Sequence, residues 1–186
     1  MKRNLYNDLV SDKGDQLMKL TKKELKTETD IANFYPTLVD IWQEVFTPII
    51  GQDQVAYMLR VYQSKENIFQ EIKEGARYFG LFLGEECVGY TAYEQKETYL
   101  YISKLYIKSS LRGKGYMREI FKAYDSLSAT LGLKQRLRVN QHNTQAISVY
   151  EHLGFKKIET DVADIGNGYV MDDFIYEKNV PHTLDS

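Results

Sequence analysis

The chain has 186 residues, a length that suits one domain with a sizeable core or one domain plus a short extension. Its 24 basic and 26 acidic residues give a net charge of −2. The composition therefore indicates no nucleic-acid or anionic-membrane partner, since each attracts a concentrated basic face. Cys87 is the only cysteine, which excludes an intrachain disulfide and a thiolate metal cluster.

The N-terminal part of the chain carries no targeting signal. No apolar stretch approaches the roughly 20 residues of a membrane-spanning helix, and no signal-peptide core begins the chain, so we expect a cytoplasmic protein. Residues 1–16 are polar and compatible with a flexible extension before a single domain over 17–186. Residues 17–27 fit either a first strand or the start of a helix.

Two helices are predicted next. The first covers 31–49, with Pro36 in its first turn and Pro48 at its end. The second continues without a break from Asp53 to Gly75. The apolar residues at helical spacing are Leu38, Ile41, Trp42, Val45 and Phe46 in the first helix, and Val55, Met58, Leu59, Tyr62, Ile68 and Ile72 in the second.

Strands occupy the middle of the chain. Residues 78–83 and 88–94 form a hairpin signal around the turn at Gly84. A strand over 99–107 follows. Strict alternation predicts one face with Tyr99, Tyr101, Ser103, Leu105 and Ile107, and the other with Leu100, Ile102, Lys104 and Tyr106.

The remaining elements alternate between helix and strand. They are a helix over 115–131, a strand over 135–140, a helix over 144–153, and a closing hairpin of strands over 155–160 and 169–178. Gly132 suits the C-cap of the first of these helices, and Asn143 suits the N-cap of the second. The whole order predicts a mixed α+β fold rather than a doubly wound parallel sheet.

The segment from Leu105 to Met117, LYIKSSLRGKGYM, is the most informative one. A strand leads into a glycine loop and then into a helix, and exposed N–H groups at such a helix start suit a phosphate or pyrophosphate. About thirty residues later comes the segment 143–155, NTQAISVYEHLGF. A nucleotide phosphate loop requires Lys and Ser or Thr after its last glycine, whereas Gly115 precedes Tyr116, so that alternative is excluded.

These two segments, in this order and at this distance, resemble the GNAT superfamily of acetyl-CoA-dependent N-acetyltransferases. The resemblance implies a mixed, mostly antiparallel central sheet flanked by helices, with a strand that splays from its neighbour before the pyrophosphate loop. It also implies an acyltransferase that moves an acetyl group from acetyl-CoA, its co-substrate, to a primary amine of a small molecule or peptide. The resemblance extends over residues 31–178 at the level of element order. Its specific sequence motifs lie only within residues 99–155.

The resemblance also assigns a cofactor site. Its residues are Leu105, Tyr106, Ile107, Arg112, Gly113, Lys114, Gly115, Tyr116, Met117 and Asn143. Arg112 and Gly115 match the family's loop pattern, whereas Met117 stands where the family has a small residue. The main chain of 105–107 is expected to bond the pantetheine amides as an added strand would.

Tyr150 is the general acid that the resemblance implies, since the matching residue lies close to the thioester sulfur. A phenol with a pKa of about 10 is a feasible proton donor to a thiolate whose thiol has a pKa of about 8.5. The alternative is a helix tyrosine packed on the sheet. Ser103 stands where many members have a glutamate base, and a serine cannot take the proton of an ammonium. Glu94, Glu97 and a water chain through the tyrosines remain open as substitutes, as does an amine that arrives already deprotonated at a cost in rate, and no base is assigned.

The acceptor is less well defined by the sequence. Carboxylates at Asp161, Asp164, Asp172 and Asp173 favour a cationic amine such as a polyamine or aminoglycoside, and the alternative is solvated strand-end charge. Tyr57, Tyr62 and Trp42 are candidates for the wall of the acceptor pocket, although such helices more often form core.

Two further expectations concern metals and partners. His142, His152 and His182 match no zinc spacing, so no metal is expected. Fifteen tyrosines are compatible with a homodimer. A non-catalytic acyl-CoA-binding or regulatory domain on the same fold is the second hypothesis. Ser103 and Met117 favour it and Tyr150 opposes it.

Overall fold

A seven-stranded sheet runs through residues 19–181, the part of the chain that the computed structural model describes. The strands are β1 (Leu20–Leu25), β2 (Arg77–Leu83), β3 (Glu86–Gln95), β4 (Tyr99–Ile107), β5 (Lys134–Asn140), β6 (Lys156–Gly166) and β7 (Tyr169–Lys178). The α-helices are α1 (Glu28–Ile50), α2 (Gln52–Val61), α3 (Lys65–Lys73), α4 (Tyr116–Leu131) and α5 (Thr144–His152). The proposed extension over 1–16 lies outside the described residues.

The sheet is mixed and mostly antiparallel, as the sequence predicted. Its strand order is β1-β2-β3-β4-β5-β7-β6, and only β4 and β5 run parallel. Residues 17–27 fitted either a strand or a helix start in the sequence, and the structure shows the edge strand β1 there, paired with β2. No helix within 19–181 is long and apolar enough to cross a membrane.

Helices cover both faces of the sheet and bury a separate apolar core on each. Helices α1, α2 and α3 pack on the side we call the α1 face, with Trp42, Tyr90 and Tyr106 among its side chains. Helices α4 and α5 pack on the α4 face, where Leu105 and Phe121 lie. Each helix is amphipathic, and its apolar stripe is removed from water by contact with the sheet or, for α2 and α3, with α1 as well.

Helix α1 begins earlier than predicted because a capping box starts it. Oγ1 of Thr27 accepts from the backbone N–H of Asp30, and the Asp30 carboxylate accepts from the Thr27 N–H, each at 3.1 Å. The placement of Pro36 in the first turn is therefore wrong, since it lies inside the helix. Pro36 and Ala32 are both exposed, so water can reach the Ala32 carbonyl that lacks a helical donor.

The single long second helix is also a wrong prediction, because the structure divides it into α2 and α3. Ser64 caps α3, since its Oγ accepts from the backbone N–H of Asn67 at 3.1 Å. The side-chain amide of Asn67 in turn donates to the Tyr62 carbonyl at 2.8 Å. The apolar residues kept their helical spacing across this break and so concealed it. Ser64, as a typical N-cap residue, was the local signal for it.

A β-bulge at Ser103 reverses the alternation of β4. Lys104 pairs with Ala92 and Ile102 pairs with Tyr93, which leaves Ser103 as the extra residue. The predicted faces are therefore wrong beyond Ser103. The side chains of β4 on the α4 face are Leu100, Ile102, Leu105 and Ile107. Tyr106 instead joins the core of the α1 face.

The bulge coincides with the point where β4 and β5 separate. Their parallel pairing covers only 99–102 of β4 against 134–137 of β5. Beyond it β5 stays paired with β7, while β4 stays paired with β3. No described strand pairs with 103–107 on the β5 side, which confirms the predicted splayed strand.

Candidate functional site

A cleft of about 770 Å³ opens where β4 and β5 separate. Three parts of the chain wall it: the end of α1, the segment from β4 into α4, and the segment from the end of β5 through α5. Every predicted site residue except Lys114 lines it. These residues are Leu105, Tyr106, Ile107, Arg112, Gly113, Gly115, Tyr116, Met117, Asn143 and Tyr150. Lys114 is exposed to solvent beside the cleft.

The backbone conformation of the glycine loop, and not close packing against neighbouring atoms, accounts for its two glycines. Gly113 and Gly115 adopt positive φ angles of 75° and 87°, which favour glycine. A Cβ atom built on either residue meets nothing within 4 Å, so the loop opens into space. Gly115 is the N-cap of α4 and provides no side-chain cap. The positive end of a 16-residue helix therefore faces the cleft, an arrangement suited to an anion.

Asn143 holds the opposite wall in place. Its side-chain oxygen accepts from the backbone N–H of Ala146 at 3.2 Å, which is the predicted N-cap of α5. Its own N–H donates to the Asn140 carbonyl at 2.9 Å, so the turn after β5 is closed as well. The start of α5 is thereby fixed at the edge of the cleft.

Helix α1 supplies a wall that the sequence analysis missed. Glu44, Val45, Pro48 and Ile49 line the cleft. The carboxylate of Glu44 also accepts hydrogen bonds from the Oγ and, at 3.3 Å, from the backbone N–H of Ser109, which precedes the glycine loop. The spacing of four between Glu44 and Pro48 placed both on one helix face, and that was the available signal.

Tyr150 enters the cleft from α5 with its ring held by two aromatic neighbours. The rings of Phe121 and Phe155 meet it edge-to-face, with centroids 6.1 and 6.0 Å away. Burial raises the pKa of the Tyr150 hydroxyl to about 12. No hydrogen-bond partner of this hydroxyl is found among residues 19–181. The hydroxyl is thus a protonated donor at the cleft wall.

Ser103 does not lie in the cleft lining. As the bulge residue it donates from Oγ to the Ala92 carbonyl at 3.4 Å. The three aromatic residues proposed for an acceptor wall lie in two different surroundings. Trp42 is a core residue that donates to the Tyr90 hydroxyl at 2.9 Å. Tyr57 and Tyr62 both donate to the carbonyl of Ile165, at 2.6 and 2.8 Å, and so connect α2 to the β6–β7 hairpin.

The four aspartates of the closing hairpin differ in their partners. Asp164 accepts from the Gly166 N–H at 2.8 Å, Asp161 pairs with Arg138, and Asp172 accepts from Gln141. Asp173 is buried, and one of its oxygens has no partner. In the described part of the chain, no group of three or more His, Cys, Asp or Glu side chains is arranged to hold a metal ion. His182 lies outside that part.

Known proteins of one family resemble this chain in sequence and in fold. A family model described as the acetyltransferase (GNAT) family matches residues 35–155. The chain is similar to the PaiA N-acetyltransferase of Thermoplasma acidophilum in complex with coenzyme A, with a TM-score of 0.74 and 21% identity over 87% of this chain and 99% of that one. It is also similar to the ribosomal-protein-S18-alanine N-acetyltransferase of Escherichia coli, with a TM-score of 0.63 and 16% identity over 89% and 96%. No curated protein sequence matches it.

Proposed function

Because the chain belongs to the GNAT family of acetyl-CoA-dependent acetyltransferases, we propose that it moves the acetyl group to a primary amine of a small cationic molecule or a peptide, with Tyr150 as general acid. One observation carries the proposal. The glycine loop, the splayed strand and Tyr150 meet around a single cleft, although Tyr150 is far from the other two in the sequence. Direct transfer needs these three features together, since positioning supplies much of the rate.

The cleft residues fit a long thioester co-substrate that carries a pyrophosphate. The first turn of α4 and the Arg112 guanidinium offer positive charge for the pyrophosphate. The unpaired side of 105–107 offers main-chain groups for the pantetheine amides. Met117 is larger than the usual residue at its position, but it packs against the core of the α4 face. The backbone therefore remains open at the cleft.

Tyr150 acts as a donor over the whole physiological pH range. A phenol with a pKa of about 12 stays protonated at neutral pH. Full transfer to a thiolate with a reference pKa of about 8.5 is uphill by roughly 5 kcal/mol. The same burial raises the pKa of a bound thiol and narrows that gap. The hydroxyl therefore stabilises the sulfur most as negative charge develops in the transition state.

The carboxylates of the closing hairpin support the proposed acceptor class. Asp161, Asp172 and Asp173 lie on neighbouring positions of β6 and β7, and Asp161 pairs directly with Asp173 in the register. Only Arg138 forms ion pairs with them within residues 19–181. One guanidinium against three carboxylates leaves net negative charge, which favours a cationic amine over an acidic one.

Release of free thiol from acetyl-CoA tests this function. We expect turnover with spermidine, an aminoglycoside, lysine or a short peptide with a free α-amine, and the preferred class identifies the acceptor. Tight binding of acetyl-CoA without turnover on any of these amines would instead support the non-catalytic binding domain. A homodimer remains a prediction as well, and light scattering on the purified protein measures it.

A further inference from the structure

Asp173 is a buried carboxylate with an unused hydrogen-bonding oxygen. It lies on β7 opposite Asn140 of β5, and only 5% of its surface is exposed. Its Oδ2 faces Nε of Arg138 at 3.4 Å, which is long for a charge-assisted bond. Its Oδ1 is fully buried, and no donor in residues 19–181 reaches it. It is the only carboxylate oxygen of the described chain in this condition.

A buried carboxylate that lacks one of its hydrogen-bond donors reduces the stability of the folded protein. Leaving a buried acceptor without a donor lowers the stability of the fold, and more so when the group is charged. Burial raises the pKa of Asp173 even though the Arg138 guanidinium opposes that shift. Oδ1 of Asp173 therefore has an acceptor position that no described residue fills.

The position of Asp173 connects it to the cleft. Phe174 and Tyr176 point to the α4 face, so Asp173 points to the α1 face, as does Tyr106. Tyr106 lines the cleft. Asp173 pairs with Asn140 of β5. Asn140 lies beyond Leu137, the last residue of β5 that pairs with β4, so Asp173 lies beside the opening between β4 and β5.

We propose that Asp173 takes the proton of the acceptor's ammonium group at Oδ1 through one bridging water, so that it is the general base that Ser103 cannot be. This inference rests on the proposed N-acetyltransferase function. Desolvation favours the transfer, because an ammonium and a carboxylate become two neutral groups when one proton moves. A serine offers no comparable acceptor.

The proton and electron pairs balance without a further reactant. The Asp173 carboxylate takes one proton from the ammonium and leaves a neutral amine with a lone pair. That lone pair forms the C–N bond at the thioester carbonyl while the C–S bond breaks, and Tyr150 protonates the leaving thiolate. The amide nitrogen then loses its second proton, which restores the Tyr150 hydroxyl. The proton held by Asp173 passes to solvent.

The pH dependence of this step reflects all the charged groups around Asp173. They are Arg138 from β5, Asp161 from β6, Asp172 from β7, and Tyr101 and Tyr106 from β4. Burial raises the pKa of both tyrosines, so they stay neutral over the working pH range. The acid limb of kcat/KM is therefore expected to follow Asp173, and to change when Asp173 is replaced.

The test compares Asp173→Asn with a matched variant on the same strand. Glu177 lies on the same face of β7, and its carboxylate pairs with Arg136 much as Asp173 faces Arg138. With spermidine or another accepted cationic amine, we expect Asp173→Asn to lower kcat/KM about 100-fold or more and to remove its acid limb. Glu177→Gln should keep both, and Asp173→Glu should recover part of the rate. Acetyl-CoA affinity should stay unchanged in all three variants.

A second amine separates a role of Asp173 toward the protonated acceptor from a structural role. Trifluoroethylamine is neutral at neutral pH, so it needs no base before attack, and we expect Asp173→Asn to slow its acetylation only a few-fold. An equal loss with both amines would overturn the role as base, and full activity of Asp173→Asn would overturn the whole inference. Absence of turnover by the wild-type protein with every amine would instead overturn the proposed function on which it rests.

Discussion

Arg112 donates from Nη1 to Oε1 of Gln145 at 3.2 Å and so joins the glycine loop to the first turn of α5. The two residues are 33 positions apart, and both line the cleft. The bond occupies one nitrogen of a guanidinium that has several further N–H donors. Arg112 is therefore oriented by Gln145 while it still offers donors to an anion.

Replacing Arg112 with Ala should weaken binding of acetyl-CoA about 10- to 100-fold, because a hydrogen bond to a charged group contributes about 1.5–3 kcal/mol. Calorimetric titration measures this change. S-acetylpantetheine, which lacks the pyrophosphate, should bind equally to both proteins. Gln145→Ala removes the orienting contact only and should have a smaller effect. Equal losses with both ligands would contradict a pyrophosphate role for Arg112.

Tyr150→Phe should lower kcat about 100-fold and leave the acetyl-CoA affinity near that of the wild type. The variant keeps the ring that packs on Phe121 and Phe155, so only the hydroxyl is lost. Since burial raises the pKa of Tyr150 to about 12, its deprotonation should cause no loss of wild-type activity on the basic side below about pH 10. Steady-state rates over that range, with Tyr176→Phe as control, measure both effects.

The element order was predictable because each element carries its own local signal. Asn143 as an N-cap and the φ-positive Gly115 before α4 both depend on chemistry within a few residues. The bulge at Ser103 had no such signal, since it depends on the register with β3. One extra residue reversed the predicted direction of Lys104 and of every side chain after it in β4.

Gly89→Ala should displace the splayed strand β4 from the side on which it pairs with β3. A Cβ atom at Gly89 would lie 2.3 Å from the carbonyl oxygen of Tyr106 and 3.0 Å from Cα of Ile107. Both contacts are to backbone, so β4 must shift. We expect a loss of about 1–3 kcal/mol in stability together with weaker acetyl-CoA binding. Urea unfolding and calorimetry measure the two effects.

Gly75→Ala is the matched control for that substitution. Gly75 has a φ of 108°, but a Cβ atom there meets nothing within 4 Å. It should lose stability through backbone strain alone and keep its acetyl-CoA affinity. Unchanged affinity in Gly89→Ala as well would mean that the position of β4 does not control the cleft.

The cleft itself was largely predictable, whereas the acceptor side was not. Arg112 and Tyr150 lie in two compact segments, so each carried its sequence context with it. Asp173 was one of four similar aspartates in the sequence. Only the fold distinguishes it, because its burial and its unpartnered Oδ1 arise from contacts with β5 and β6. Long-range packing leaves no local pattern.

Asp173→Asn should stabilise the folded protein at neutral pH. Burial raises the folded-state pKa of Asp173 above its ordinary value of 3.8, so the native protein binds this proton more tightly than the unfolded chain does. The charged carboxylate therefore lowers stability above that folded pKa, and the penalty disappears as the pH falls through the folded and then the unfolded value. We expect the variant to melt a few degrees higher than the wild type at neutral pH, and the gap to close near about pH 4.

Glu177→Gln should shift stability in the opposite direction. Burial alone would raise the pKa of Glu177, but hydrogen bonds from Arg136 and Lys134 lower it overall. Its charge therefore stabilises the fold above the ordinary value of 4.5, and this contribution is lost as the pH falls through the lowered folded pKa. Thermal melts of both variants across this pH range measure the contrast. A loss of stability in Asp173→Asn at neutral pH would show that its ion pair with Arg138 is structural, and Asp173 would then behave like Glu177.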